Sequence, residues 1–430
     1  MSRIFSIIFA LIWMSGAILL QAQEDLIYLK AGKLFDGNSD QLRNDLVIVV
    51  KENKIVSVGK DISIPPGATI FDLSKTTVLP GLIDAHTHIA LHAGNYEDQI
   101  LRETPEYRAI YATVSAKSTL EAGITTIRDA GNEGAGYADV ALRDAINNGI
   151  VPGPRMQVSI QPVSGTGGYN LVGFSPYFSL PNISYEADGP AEIRKQIRRL
   201  IKEGADLIKI YMESFEKKET RTDILTGALN YSKEELQVLV EEAHRGGLPV
   251  AAHTYSDQAA RLAIEVNVNS IEHGLYLSEE TFRLMAAKNI YYVPTLLVYE
   301  FWRDSKIFGQ ISAENKIKLT NTVEEHIKTF KNALKTPVKI VFGSDTFELP
   351  GTNAQEIELM VKYGMQPMDA LKSATSIAAE LLGLESSIGS ITENKLADII
   401  AVNGNPLENI SDLRNVVFVM KGGEIYLDKL

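Results

Sequence analysis

Between residues 81 and 384 the chain alternates short apolar runs with longer stretches of helical periodicity. The apolar runs fall at 81–88, 124–129, 155–161, 206–211, 248–253, 269–273, 290–295 and 338–345, and each predicts a strand. Helical patterns lie at 106–122, 136–148, 190–203, 233–246, 256–267, 278–289 and 353–383. One of them opens with Ser232-Lys-Glu-Glu235, a capping box that satisfies two orphan amide donors. Residues 296–337 are long for a connection, and 312–335 reads as a helix able to cover a site. Eight strands with intervening helices predict an α/β fold, a (β/α)8 TIM barrel. A doubly wound open sheet is the alternative, but it usually opens with a Gly-rich turn after its first strand, and none is present.

The two ends read differently. Short β-type runs at 26–29, 46–50 and 54–58 are separated by Asp36-Gly37-Asn38 and Glu52-Asn53, and runs at 398–402, 416–420 and 424–427 by Asn403-Gly404-Asn405-Pro406 and Gly422-Gly423. They predict one small β-sandwich domain built from both termini, with segments 23–80 and 385–430 flanking the barrel at 81–384. Two separate β caps are the alternative.

Residues 1–22 stand outside this plan. Arg3 precedes an almost wholly apolar stretch at 4–20, then Gln21-Ala22-Gln23 and acidic Glu24-Asp25. This resembles a secretory signal peptide cleaved near Ala22, which predicts a periplasmic or secreted protein with no membrane attachment after cleavage. An uncleaved anchor is the other reading, at the lower limit of spanning length.

Composition narrows the chemistry. Of 430 residues, 45% are hydrophobic and 22% charged, ordinary for a soluble globular chain. The net charge of −12 argues against nucleic acid as a partner, since phosphate binding needs a basic surface. There is no cysteine, so a lipoprotein signal, a disulfide and a thiolate metal ligand are all excluded. Any metal must be held by His, carboxylate or something less usual.

The candidate ligands fall at strand ends. His86 and His88, one residue apart in GLIDAHTH at 81–88, point to one face. His253 and His273 close the fifth and sixth predicted strands, and Asp345 closes the eighth. In a β/α barrel these ends converge on one pocket. Lys209, in Asp206-Leu-Ile-Lys209-Ile-Tyr211, is the odd member, because a buried ammonium is costly and is not a metal ligand. It reads either as a lysine reaching a carboxylate or as a lysine carbamate whose two oxygens bridge two metal ions. Four histidines and an aspartate on the same rim favour the carbamate.

This set resembles the amidohydrolase superfamily: His-x-His on strand one, Lys on strand four, His on strands five and six, Asp on strand eight. The text around Gly81–His88, Gly123-Ile-Thr-Thr-Ile-Arg-Asp-Ala130, Ser270-Ile-Glu-His-Gly274 and Lys395-Leu-Ala-Asp-Ile-Ile400 is similar to the branch holding Xaa-Pro dipeptidases, related carboxypeptidases and ochratoxin-type amidases. The resemblance runs from about residue 26 to 430. It implies that His86, His88 and Asp345 hold one metal ion, that His253 and His273 hold a second, and that carboxylated Lys209 bridges them. It further implies a bridging hydroxide as nucleophile, with Asp345 as general base and then acid. Zinc suits such donors, though cobalt and manganese can occupy similar sites. The implied substrate is a small amide, either a dipeptide or an N-acyl amino acid. A cyclic-amide or lactone hydrolase, or a deaminase, is the alternative on this scaffold, and Lys209 counts against the mononuclear deaminases. A barrel retained as a metal-free binding module is the non-enzyme reading. Assembly as a homo-oligomer stays open.

Two departures touch the substrate side. The branch's Thr-Gly-Gly-His reads Thr166-Gly167-Gly168-Tyr169 here, and the Ala-His after the fifth-strand histidine reads Thr254-Tyr255. Tyr169 and Tyr255 are therefore substrate-binding candidates. Tyr231 matches a family tyrosine that could hydrogen-bond the scissile carbonyl, and is a catalytic candidate beside Asp345. Arg221, after strand four, could hold a substrate carboxylate. Arg128 and Asp129 read as a structural pair and His92 as support for the metal ligands. His244 and His326 read as bystanders, and Gly165, Gly167 and Gly168 as a flexible loop, since no Lys-Ser/Thr follows to make a phosphate cradle.

Overall fold

A computed structural model describes residues 26–430, except 172, 176, 215–222, 305–312 and 347–349. The expected signal peptide lies outside the described residues. Within them no helix is long and apolar enough to cross a membrane.

The chain begins with four strands, β1 (Leu26–Leu34), β2 (Arg43–Lys51), β3 (Lys54–Gly59) and β4 (Thr69–Pro80). It then enters the barrel through β5 (Leu82–Thr87), β6 (Ile124–Asp129), β7 (Arg155–Val158), β8 (Val163–Ser164), β9 (Tyr185–Glu186), β10 (Ile208–Tyr211), β11 (Val250–Ser256), β12 (Ser270–Tyr276) and β13 (Tyr291–Val293). It ends with β14 (Ile399–Val402), β15 (Val416–Lys421) and β16 (Glu424–Asp428). The terminal strands make one mixed sheet in the order β16-β15-β14-β4-β1-β2-β3. Both termini therefore build one sheet domain, as expected, and not two separate caps. Lys54 on edge strand β3 bridges back to Leu396, just before β14, so the sheet folds over one core that includes Ile48, Ile55, Leu73, Ile399 and Phe418.

The barrel is a (β/α)8 TIM barrel. Its strands lie in two parallel sets, β5-β6-β7 and β13-β12-β11-β10-β8 with β9 at the edge. The third predicted strand, 155–161, is broken. Ile160 adopts φ 65°, so the chain pairs with β6 through β7 and then with β10 through β8, joining the two sets. The eighth predicted strand is an irregular extended segment. It bridges Tyr292 through Ile340 and reaches β5 through Phe342 O to Ala85 N, 3.0 Å, and Asp345 N to His86 O, 2.8 Å, which closes the ring. The long helix expected at 353–383 is three helices, Ala354–Lys362, Pro367–Ser373 and Ser376–Leu381. Gly364, at φ 116°, ends the first, and Pro367 starts the second at a position where its missing N–H costs nothing. The expected covering helix forms as Ala313–Ala333.

Candidate metal centre and substrate cavity

At the C-terminal rim of the strands, β5 presents His86, with His88 just past its end. Lys209 comes from β10, His253 from β11 and His273 from β12, while Asp345 ends the closing segment. All six are buried.

Each histidine is oriented by a specific partner. His86 Nδ1 lies 2.7 Å from Glu272 Oε2, and the other Glu272 oxygen accepts from Arg128 Nη2 at 2.8 Å. Arg128 also donates to Ala85 O at 2.6 Å and Ser270 Oγ at 3.0 Å. His88 Nδ1 donates to Gly131 O at 2.7 Å. Both rings therefore turn Nε2 toward the rim, as metal-binding imidazoles do. Asp345 Oδ1 stands 3.3 Å from His88 Nε2 and 3.8 Å from His86 Nε2. His273 Nδ1 lies 2.7 Å from Thr295 Oγ1. His273, Thr295 and Asp345 all have left-handed backbones, with φ of 67°, 50° and 51°. Such strain costs about 1–3 kcal/mol per residue and persists only where the surroundings enforce it, often at functional sites.

The donor set fits divalent metal. Burial, with repulsion from Lys209, holds His86 and His253 well below the ordinary histidine range, and burial with the neighbouring His253 and His86 does the same to His273. These imidazoles are neutral, the form that binds metal. His253 Nε2 is buried without a hydrogen-bond partner, an orphan that a metal ion would satisfy. Donor atoms of His86, His273 and Asp345 lie within 4.8 Å of one another, the spacing of ligands to one ion. That triad draws from both expected ligand sets, because the turned backbone at His273 carries its ring to 5.0 Å from His86. Lys209 Nζ lies 3.3 Å from His86 Nε2. Among the described residues no carboxylate oxygen comes within 4.0 Å of Nζ, so the ordinary ion-pair reading of this lysine has no partner. Burial pushes its ammonium down to about 8.

A cavity of about 480 Å³ opens onto His88, Lys209, His253, His273 and Asp345, with His86 buried against Lys209 outside its lining. One wall is Tyr96, Tyr169 and Tyr211, the last two stacked with ring centroids 3.6 Å apart. The other is Tyr255, Tyr299 and Trp302. Glu97 and Glu133 join the first wall, and buried Lys318, from the helix Ala313–Ala333, joins the second.

Tyr169 and Tyr255 line this cavity, whereas Tyr231 does not. Its side chain is buried in the main apolar core of the barrel, and its hydroxyl has no partner among the described residues. Arg221 lies outside the described residues. Arg128 and Asp129 are not paired with each other, since neighbouring residues on a strand face opposite ways: Arg128 meets Glu272, and Asp129 accepts from Ile89 N at 2.8 Å. His92 is held by Glu103 at 2.9 Å, off the cavity. His244 bonds Asn269 at 3.0 Å. His326 packs on Tyr299, and burial pushes it down to about 3. Tyr96, Glu133, Tyr299, Trp302 and Lys318 come from loops and helices that carry no motif. Glu272 did give a signal, an acid in mid-strand where acids are depleted.

The amidohydrolase family model matches residues 77–426. An ochratoxinase from Aspergillus niger is 31% identical over 94% of this chain and 87% of its own length. Among solved structures, an Xaa-Pro dipeptidase with methionine bound in its active site superposes with a TM-score of 0.83 at 34% identity, covering 94% of this chain and 100% of that one. A prolidase complexed with N-methylphosphonate-L-proline gives 0.83 at 27% identity, covering 93% and 99%. With its barrel, its rim of candidate ligands at strand ends and this match over most of its length, the chain belongs to the amidohydrolase family and is a hydrolase.

Proposed function

We propose that this protein hydrolyses the amide bond of a dipeptide or N-acyl amino acid with the help of two divalent metal ions. The observation that carries the reading is the rim itself. Neutral His253 and His273 meet His88, Asp345 and Lys209 at the floor of a cavity with aromatic walls, neutral His86 is buried against Lys209, and among the described residues Lys209 has no ion-pair partner. The prolidase, dipeptidase and ochratoxinase relatives support an amide substrate.

His86, His88, His253, His273, Asp345 and a carbamate on Lys209 would hold the ions, with zinc best suited to the donors. Such ions supply Lewis acidity and lower the pKa of bound water. Asp345 is placed to take the nucleophile's proton and deliver it to the departing nitrogen, acting as base and then acid. Tyr169 and Tyr255 flank the substrate, and Lys318 supplies a cation for its carboxylate. Tyr231, which does not line the cavity, takes no part. The apolar leader at 4–20 supports export, with the activity outside the cytoplasm.

The test is a panel of dipeptides and N-acyl amino acids, varied at the C-terminal residue, assayed with enzyme loaded in bicarbonate and divalent metal. Release of a free amino acid and about two ions per chain are expected. Less than one ion per chain would sink the two-metal reading. Release of no amino acid from any member would favour a cyclic amide or lactone instead.

A further inference from the structure

The loop after β6 carries Glu133 into the cavity with a left-handed backbone, φ 50°. That conformation is strained for a residue with a side chain. It is enforced by Arg108, itself buried, which donates to Ala90 O at 3.0 Å, Asn132 O at 2.9 Å and Glu133 O at 2.8 Å. Three of its five N–H groups are thus spent on backbone carbonyls, and the Glu133 carboxylate forms no ion pair with Lys or Arg within 4.0 Å among the described residues. It accepts instead from two cavity phenols, Tyr96 at 2.5 Å and Tyr211 at 2.9 Å. A buried carboxylate is retained only where something compensates its charge. His88 does not need it for orientation, since His88 Nδ1 already donates to Gly131 O at 2.7 Å, while Glu133 Oε1 stands farther off at 3.5 Å.

We propose that Glu133, framed by Tyr96 and Tyr211, binds the ammonium of a substrate with a free α-amino group on the acyl side of the scissile bond. The inference rests on the amide-hydrolase reading above and narrows it from acylated amino acids to true dipeptides. Position supports it. One imidazole ring, His88, separates Glu133 from Asp345, and the α-nitrogen of a dipeptide is two bonds from the carbonyl carbon under attack. Glu97 adds negative charge to the same wall, and Lys318 stands on the other, as a zwitterion requires.

The test compares metal-loaded wild type and Glu133→Gln on leucyl-phenylalanine and on its des-amino analogue, which lacks only the amino group. Wild type is expected to favour the dipeptide by at least 100-fold in kcat/KM. In Glu133→Gln that ratio should fall at least tenfold, with metal content equal to wild type. Equal cleavage of the two substrates by wild type would overturn the inference alone, and the analogue is smaller, so a steric clash cannot imitate the preference. A parallel loss on both substrates in the variant, with the ratio unchanged, would make Glu133 merely structural and overturn it too. Cleavage of neither substrate by wild type, with no amino acid released across the panel, would overturn this inference together with the reading it rests on.

Discussion

Glu272 Oε2 lies 2.7 Å from His86 Nδ1, while the same carboxylate pairs with Arg128 at 2.8 Å, all three side chains being buried. One carboxylate thereby fixes the ring of a candidate metal ligand and neutralises a guanidinium inside the barrel. Removing one member of a buried pair strands its partner's charge, at a cost of roughly 3–5 kcal/mol. Glu272→Ala is expected to lose stability of that order in denaturant unfolding. Glu272→Gln, which keeps the shape, should lose less. Both should weaken metal binding by about 10–100-fold, the usual effect of losing a ligand's supporting partner, and competition with a chelator measures it.

Lys209 makes the opposite prediction for the metal-free protein. Burial lowers its ammonium from the ordinary 10.5 to about 8. Below pH 8 the folded state carries a charge it has not adequately compensated, and between 8 and 10.5 the unfolded chain binds more protons than the folded one. Stability of the metal-free protein should therefore rise with pH across that window. Lys209→Met should flatten this slope and raise metal-free stability by roughly 1–3 kcal/mol at pH 7. The same variant should fail to load two ions. A Met variant that kept full metal content would remove the carbamate from the proposal.

The candidate ligands at strand ends were legible because each closes an apolar run, and a barrel brings such ends together whatever lies between them. What was not legible depends on contacts distant in sequence. Arg128 finds Glu272 across 144 positions, so the adjacent Asp129 looked like its natural partner. The break at Ile160 lies inside an unbroken apolar run and follows from barrel closure, not from a turn residue. At 353–383 apolar periodicity persisted across Gly364 and Pro367, and the local breakers overrode it. The cavity walls were hidden for a further reason. Tyr299, Trp302 and Lys318 ride on helices, where an aromatic or a lysine is usually just an amphipathic position.

Lys318 offers a direct check on how substrate is held. It is buried on a cavity wall, from a helix that crosses over the rim. A hydrogen bond to a charged group contributes about 1.5–3 kcal/mol. Lys318→Met should therefore raise KM for substrates with a free C-terminal carboxylate by roughly 10–100-fold. The corresponding C-terminal amides should show little difference between variant and wild type. Equal effects on acid and amide would assign Lys318 to the helix's packing instead.

Gly343 lies where the closing segment passes β5. A Cβ there would stand 2.4 Å from Val293 Cγ1 and 2.9 Å from His86 Cβ, closer than real Cβ contacts allow. Gly343→Ala must therefore push either β13 or His86 aside, and overpacking of this kind costs about 1–3 kcal/mol. Gly81 is the control. A Cβ there would meet Thr125 Oγ1 at 2.1 Å, a clash at least as severe, but just before β5 and away from the candidate metal ligands. Both alanine variants should lower the unfolding midpoint. Only Gly343→Ala should also weaken metal binding in the fraction that remains folded, because only there does the displaced atom belong to a candidate ligand. If Gly81→Ala lost metal to the same extent, rim geometry would depend on the stability of the barrel as a whole and not on the local seat of His86.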